Sequence, residues 1–150
     1  DRFMFNVLVD YPTLAEEMEI VRTTTSAYRA DIRPVLEGRQ ITELQQLVRR
    51  VPVADPVVEY AVGLAQRSRP QNPEAPGYVR DYVSWGAGPR ASQYLILGAK
   101  ALAVMDGRLA PSVDDVRALA RPVLRHRIIT NFNAEAAGVD SVEVIRRLVS

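Results

Sequence analysis

Two arginines stand where their charge asks for an explanation. Arg90 lies in the stretch Gly86-Ala87-Gly88-Pro89-Arg90-Ala91-Ser92, where a glycine-proline turn opens an otherwise apolar helix pattern running to Gly107. A helix N-terminus already carries partial positive charge, so a cation there is mildly disfavoured. Solvent or an anion has to offset it. Exposed backbone N–H groups beside a guanidinium form a donor set suited to phosphate. From the residues alone two readings stay open for Arg90: a bound phosphate, and a salt bridge, for instance to Asp81. Arg2 follows an acid and precedes an apolar run, which puts it near a sheet edge.

No other group of residues makes a self-sufficient catalytic set. The chain has neither a G-x-x-x-x-G-K-S/T phosphate loop nor a G-x-G-x-x-G turn. A Ser-His-Asp set would have to be built on the single histidine, His126, which sits between Arg125 and Arg127 and reads as a surface or half-buried helix residue. Glu16-Glu17 and Asp114-Asp115 fall in first helical turns, where a carboxylate complements the dipole without catalysis. Arg49-Arg50 and Arg146-Arg147 read as solvated helix faces. With 150 residues, 47% of them hydrophobic and 25% charged, the chain can bury a real core as one domain. A net charge of +1 argues against a dedicated nucleic-acid binder. The absence of cysteine removes disulfides and thiolate metal sites and suits the cytoplasm, the expected location. No apolar run approaches the roughly 20 residues of a membrane span.

The elements that must position the arginines follow from periodicity. "DRFMFNVLVDYP", residues 1–12, alternates over β-favouring residues and predicts a strand. With no second convincing strand to pair it, the segment reads as the last strand of a sheet lying upstream, and the chain as a piece of something larger. Thr13 and Glu16 form a capping-box pair ahead of a helix that ends in the Thr23–Thr25 run. Residues 29–38 read as either a short strand or an irregular connection, closed by Gly38. Ile41, Leu44, Leu47, Val48 and Val51 share one face of an amphipathic helix. Asp55 is expected as the N-cap of the next helix, with Pro56 at its first position and Val58, Ala61, Val62 and Ala65 inward. Residues 70–88, rich in proline and glycine, predict a long loop. The Arg90 helix follows, with Ala91, Tyr94, Leu95, Gly98, Leu102 and Met105 at helical spacing. Ser112 and Asp115 then cap a helix that Pro122 should kink or shorten. A last helix is expected over 140–150. The fold class is therefore mainly α: one strand, then a bundle of five or six helices.

Taken together, "DRFMF…YP", "LVRRVPVADPVVEYAVGLAQRSR", "GAGPRAS", "PSVDDVRALARPVLRHRI" and "VIRRLV" occur in an order that resembles the MoxR family of AAA+ ATPases, over nearly the whole chain. The resemblance implies the C-terminal part of the ATPase module: residues 1–12 as the terminal strand of the α/β core and linker, and residues 13–150 as the helical lid. It implies that Arg2 is the arginine finger reaching the γ-phosphate of ATP on a neighbouring subunit. It implies that Arg90 is sensor 2, reaching the phosphates of its own subunit's ATP, with Pro89 and Ala91 beside it in the binding motif. The phosphate loop, the Mg²⁺-binding acidic motif and sensor 1 are absent, so the chain alone is expected neither to hydrolyse ATP nor to hold ATP and Mg²⁺ tightly. The implied partners are ATP and ADP, further copies in a ring, usually of six, and protein clients, among them von Willebrand A-domain proteins, in chaperone-like maturation of complexes. The competing reading from the residues is a free-standing helical module that binds protein or DNA.

Overall fold

The computed structural model describes residues 2–27 and 29–150, and within them eight helices and one two-stranded antiparallel sheet. The mainly α class holds. Helix α1 is Leu14–Thr24, α2 Gly38–Arg50, α3 Asp55–Arg67, α4 Gly77–Tyr82, α5 Pro89–Met105, α6 Val113–Leu124, α7 Phe132–Ala136 and α8 Ser141–Val149. Strand β1, Val83–Trp85, pairs with β2, Ile129–Thr130, with an irregular register between Val83 and Trp85.

Residues 2–12 pair with no strand among the described residues; the expected partner sheet is placed outside this chain, so that reading stays an expectation. Asp1, the first residue of that expected strand, lies outside the described residues. Several expectations need correction. The N-cap of α3 is Ala54, and Asp55 occupies the first turn, where its charge still complements the dipole. The stretch 70–88 is no featureless loop: it holds α4 and β1, too short to announce themselves among the prolines. The bundle has eight helices because α4 and the five-residue α7 join the expected ones.

α5 is the central helix. Ala91, Leu95, Gly98, Ala99 and Ala103 form its buried stripe, and it packs chiefly on α6 and α3, with α2 alongside. Small side chains let the backbones come close: a Cβ added at Gly98 would stand 2.7 Å from Leu119 Cδ1 and 3.1 Å from Met4 Cε. The core continues through Val57, Ala61, Leu64 and Ala65 of α3, Val116, Ala120, Val123 and Leu124 of α6, and Val144, Ile145 and Leu148 of α8. Met105, expected on the inner spacing of α5, is 80% exposed, since it belongs to the last turn where the helix leaves its neighbours. Among the described residues none before Val51 is buried, so α1 and α2 add amphipathic surface to a core built by the remainder.

The α5–α6 turn is closed by Asp115. Its carboxylate accepts from the Ser112 backbone N–H at 2.7 Å, while the Ser112 hydroxyl accepts from the Asp115 N–H, which completes the expected capping box. Arg108 donates to both carboxylate oxygens, at 2.8 and 2.6 Å, and holds the Asp115 pKa down to about 2, against the opposing effect of burial. A carboxylate lowered in this way stabilises the fold fully above its ordinary value of 3.8 and loses that contribution as pH falls toward about 2. Asp115→Ala removes cap and clamp together and should cost about 1–3 kcal/mol in chemical denaturation at neutral pH. A variant as stable as the parent would show that the turn closes without it.

Candidate functional site

The site begins with the loop that aims Arg90. Ser68, fully buried at the end of α3, donates its hydroxyl to the Ala65 carbonyl at 2.7 Å and accepts the Ala87 N–H at 2.9 Å. Arg69 Nε donates to the Ala87 carbonyl at 2.8 Å. The loop is thus fastened on both polar groups of Ala87. Gly86 makes this approach possible, because a Cβ there would lie 2.4 Å from the Ser68 carbonyl oxygen. Gly88 is the N-cap and Pro89 opens α5, where its fixed φ suits the first helical position. Ala91 is fully buried and donates its N–H to the Gly88 carbonyl at 3.0 Å. With Ala91 locked inward, Arg90, about 100° around the helix, projects outward and is exposed.

The second arginine is brought to the same end of α5. Tyr94, one turn after Arg90, donates its hydroxyl to the Arg2 carbonyl at 2.9 Å. Arg127 donates to the carbonyls of Phe3, Met4 and Val123. His126 Nε2 lies 3.1 Å from the Phe3 carbonyl, and Asn6 donates its N–H to the Pro122 carbonyl at 2.9 Å. Met4 and Phe5 border a cleft of about 560 Å³ together with Gly98, Leu102 and Leu119. The extended segment is therefore seated on α5 and on the end of α6, and Arg2 itself stays exposed.

Among the described residues, Arg90, Arg125, His126 and Arg127 gather at this end of the molecule. The Arg127 guanidinium lies 5.2 Å from the centre of the Tyr94 ring, and burial lowers its pKa, with the ring opposing and the nearby Arg90 charge adding to the drop. His126 is also pushed below its ordinary 6.5, first by burial, with the Phe3 carbonyl opposing and Arg127 and Arg125 assisting. The donor set fits phosphate from one side: a helix N-terminus, Arg90, and a positive surround. Among the described residues no group of three or more His, Cys, Asp or Glu side chains is placed to hold a metal ion.

Sequence reasoning singled out Arg2, Pro89, Arg90 and Ala91, and the fold gathers them at one end of α5. It missed Ser68, Arg69, Tyr94 and Arg127. The buried hydroxyl of Ser68 and the contacts of Arg127, spanning more than 120 residues of chain, leave no local spacing to read.

Two outcomes follow. Gly86→Ala should destabilise the protein by about 1–3 kcal/mol in thermal or chemical denaturation, because backbone must yield to the new methyl. An unchanged midpoint would contradict the close approach. For His126 the depressed pKa makes the unfolded chain the better proton binder, so its stabilising effect is complete above pH 6.5 and declines as pH falls below it. Unfolding between pH 7.5 and 5.5 should show this decline, and His126→Gln should flatten it. An equal slope in the variant would exclude His126 as its source.

Comparison with known proteins places these features in context. Residues 64–148 match the AAA lid domain family. The chain is 31% identical over 154 aligned positions to Chaperone MoxR1 of Mycobacterium tuberculosis, covering 99% of this chain and 39% of that protein. It is 30% identical to Protein MoxR of Paracoccus denitrificans, over 85% of this chain and 41% of that one. A solved structure of a candidate ATPase from Cytophaga hutchinsonii superposes with a TM-score of 0.86 at 24% identity, over 99% of this chain and 45% of that one, and shows the shared fold. The chain spans about two fifths of the length of the curated relatives named here. The matched residues take in the α3 end, the Arg90 loop, and helices α5, α6 and α8, and the chain belongs to the AAA lid domain family.

Proposed function

We propose that this chain is the lid portion of a MoxR-like AAA+ ATPase, residues 1–12 being the terminal strand of the α/β core and linker and residues 13–150 the lid. The observation that carries this reading is the aim of Arg90: an exposed guanidinium at the N-terminus of α5, fixed by buried Ala91 and by a loop fastened to Ser68 and Arg69. Arg90 binds phosphate oxygens of its own subunit's ATP, as sensor 2. Pro89 and Ala91 frame it. Arg2, exposed on the seated segment, reaches the γ-phosphate on the neighbouring subunit of a homo-oligomeric ring, usually of six, as the arginine finger. ATP and Mg²⁺ are held by the core, and this chain alone neither binds them tightly nor hydrolyses ATP. Phosphoryl transfer is catalysed largely by positioning and charge neutralisation, so arginines delivered from a lid and from a neighbour make hydrolysis depend on lid angle and on assembly. The resulting work is spent in the cytoplasm on protein clients, von Willebrand A-domain proteins among them, in chaperone-like maturation. The half-exposed apolar residues of α1 and α2, such as Met18, Ile41 and Leu47, also suit a free-standing protein-interaction module, which is the second reading.

In the ATPase that carries this lid, Arg90→Ala should lower kcat/KM for ATP about a hundredfold or more with the fold intact by circular dichroism. Arg2→Ala should remove assembly-stimulated hydrolysis, about a thousandfold, while ATP binding persists. Kinetics unchanged by Arg90→Ala would refute the sensor role, and binding lost on Arg2→Ala would refute a purely trans-acting one.

A further inference from the structure

The segment bearing Arg2 is held by its main chain. Tyr94 Oη donates to the carbonyl of Arg2, Arg127 to those of Phe3 and Met4, and the Asn6 N–H donates to Pro122. Anchoring through carbonyls fixes where Arg2 stands and leaves its guanidinium exposed. The anchors are not scattered. Tyr94 follows Arg90 by four residues on α5, so both lie on one helix face about one turn, roughly 5.4 Å, apart. Arg127 stacks over the Tyr94 ring at 5.2 Å, a cation–π contact that joins the two anchors into one unit. Any displacement of α5 together with its packed neighbours that follows an anion held at Arg90 therefore moves the carbonyl to which Arg2 is tied.

We propose that Tyr94 and Arg127 are positioning residues that tie Arg2 to the helix carrying Arg90, so that the arginine acting on a neighbouring subunit takes its position from the lid's own phosphate contact. This rests on the roles given above to Arg2 and Arg90 and adds the link between them. The chain thereby couples two nucleotide sites through one hydroxyl and one stacked guanidinium: phosphate contact in one subunit sets the reach of its arginine toward the next.

Tyr94→Phe tests the tie with little disturbance, since it keeps the ring beneath Arg127 and removes only the hydroxyl. In hydrogen exchange on this chain, the Asn6 amide should exchange about two- to tenfold faster, the scale of one hydrogen bond, with the core amides of α5 and α6 unchanged. Unchanged exchange at Asn6 would overturn the tie. In the ATPase carrying this lid, Tyr94→Phe should lower kcat of assembly-stimulated hydrolysis by a similar factor at constant Kd for ATP. It should add nothing further to Arg2→Ala and lose most of its effect in the Arg90→Ala background. Arg127→Lys, which keeps charge and loses the fork to two carbonyls, should reproduce this pattern. A Tyr94→Phe loss that simply multiplies that of Arg2→Ala would overturn the inference, because the hydroxyl would then act elsewhere. Arg2→Ala without any effect would instead sink the finger role itself, and the link with it.

Discussion

Everything at the working end of this molecule depends on burying the small-residue stripe of α5. Ala91, Leu95, Gly98, Ala99 and Ala103 form the buried stripe on which α3 and α6 close, and no larger side chain would fit at Gly98 without displacing Leu119. Burial of Ala91 also settles a directional question. A helix cannot turn about its own axis once its stripe is packed, so the residue before Ala91 must face outward. The mildly unfavourable placement of a cation at a helix start is thus imposed by packing.

Around that constraint the polar groups are arranged to hold backbone rather than to neutralise one another. Ser68 and Arg69 take up both main-chain groups of Ala87. Arg127 and Tyr94 take up the carbonyls of residues 2–4. Carboxylates are spent elsewhere: Asp115 closes the α5–α6 turn with Arg108, and Glu143 pairs with Arg146 and Arg147 on α8, which holds its pKa to about 2. An electropositive face with a rigidly aimed guanidinium suits phosphate, and the same rigidity lets α5 carry a change at one arginine to the other.

Much of this was legible in the sequence, and the reason lies in local signals. The Gly-Pro turn before an unbroken apolar period placed Arg90 at the start of α5, and Ser112 with Asp115 marked the start of α6, because caps and periodicity are written within a few residues. α4, β1 and α7 were not legible, since elements of three to six residues carry less than two helical turns of pattern. The composition of residues 1–12 is β-favouring, but a strand exists only with a partner, and that reading places the partner outside this chain. Ser68, Tyr94 and Arg127 escaped because their partners are set by tertiary approach. Tyr94 looked like one more core residue on the α5 face, and only its hydroxyl, reaching a carbonyl 92 positions earlier, gives it a different task.

The most direct test of the account is calorimetric titration of MgATP into this chain alone and into the same chain joined to a phosphate-loop core. The account predicts no saturable heat from the chain alone and a saturable isotherm from the joined protein, because the chain supplies aimed positive charge but no cradle. Tight binding by the chain alone would contradict it, and so would a joined, folded protein that fails to bind.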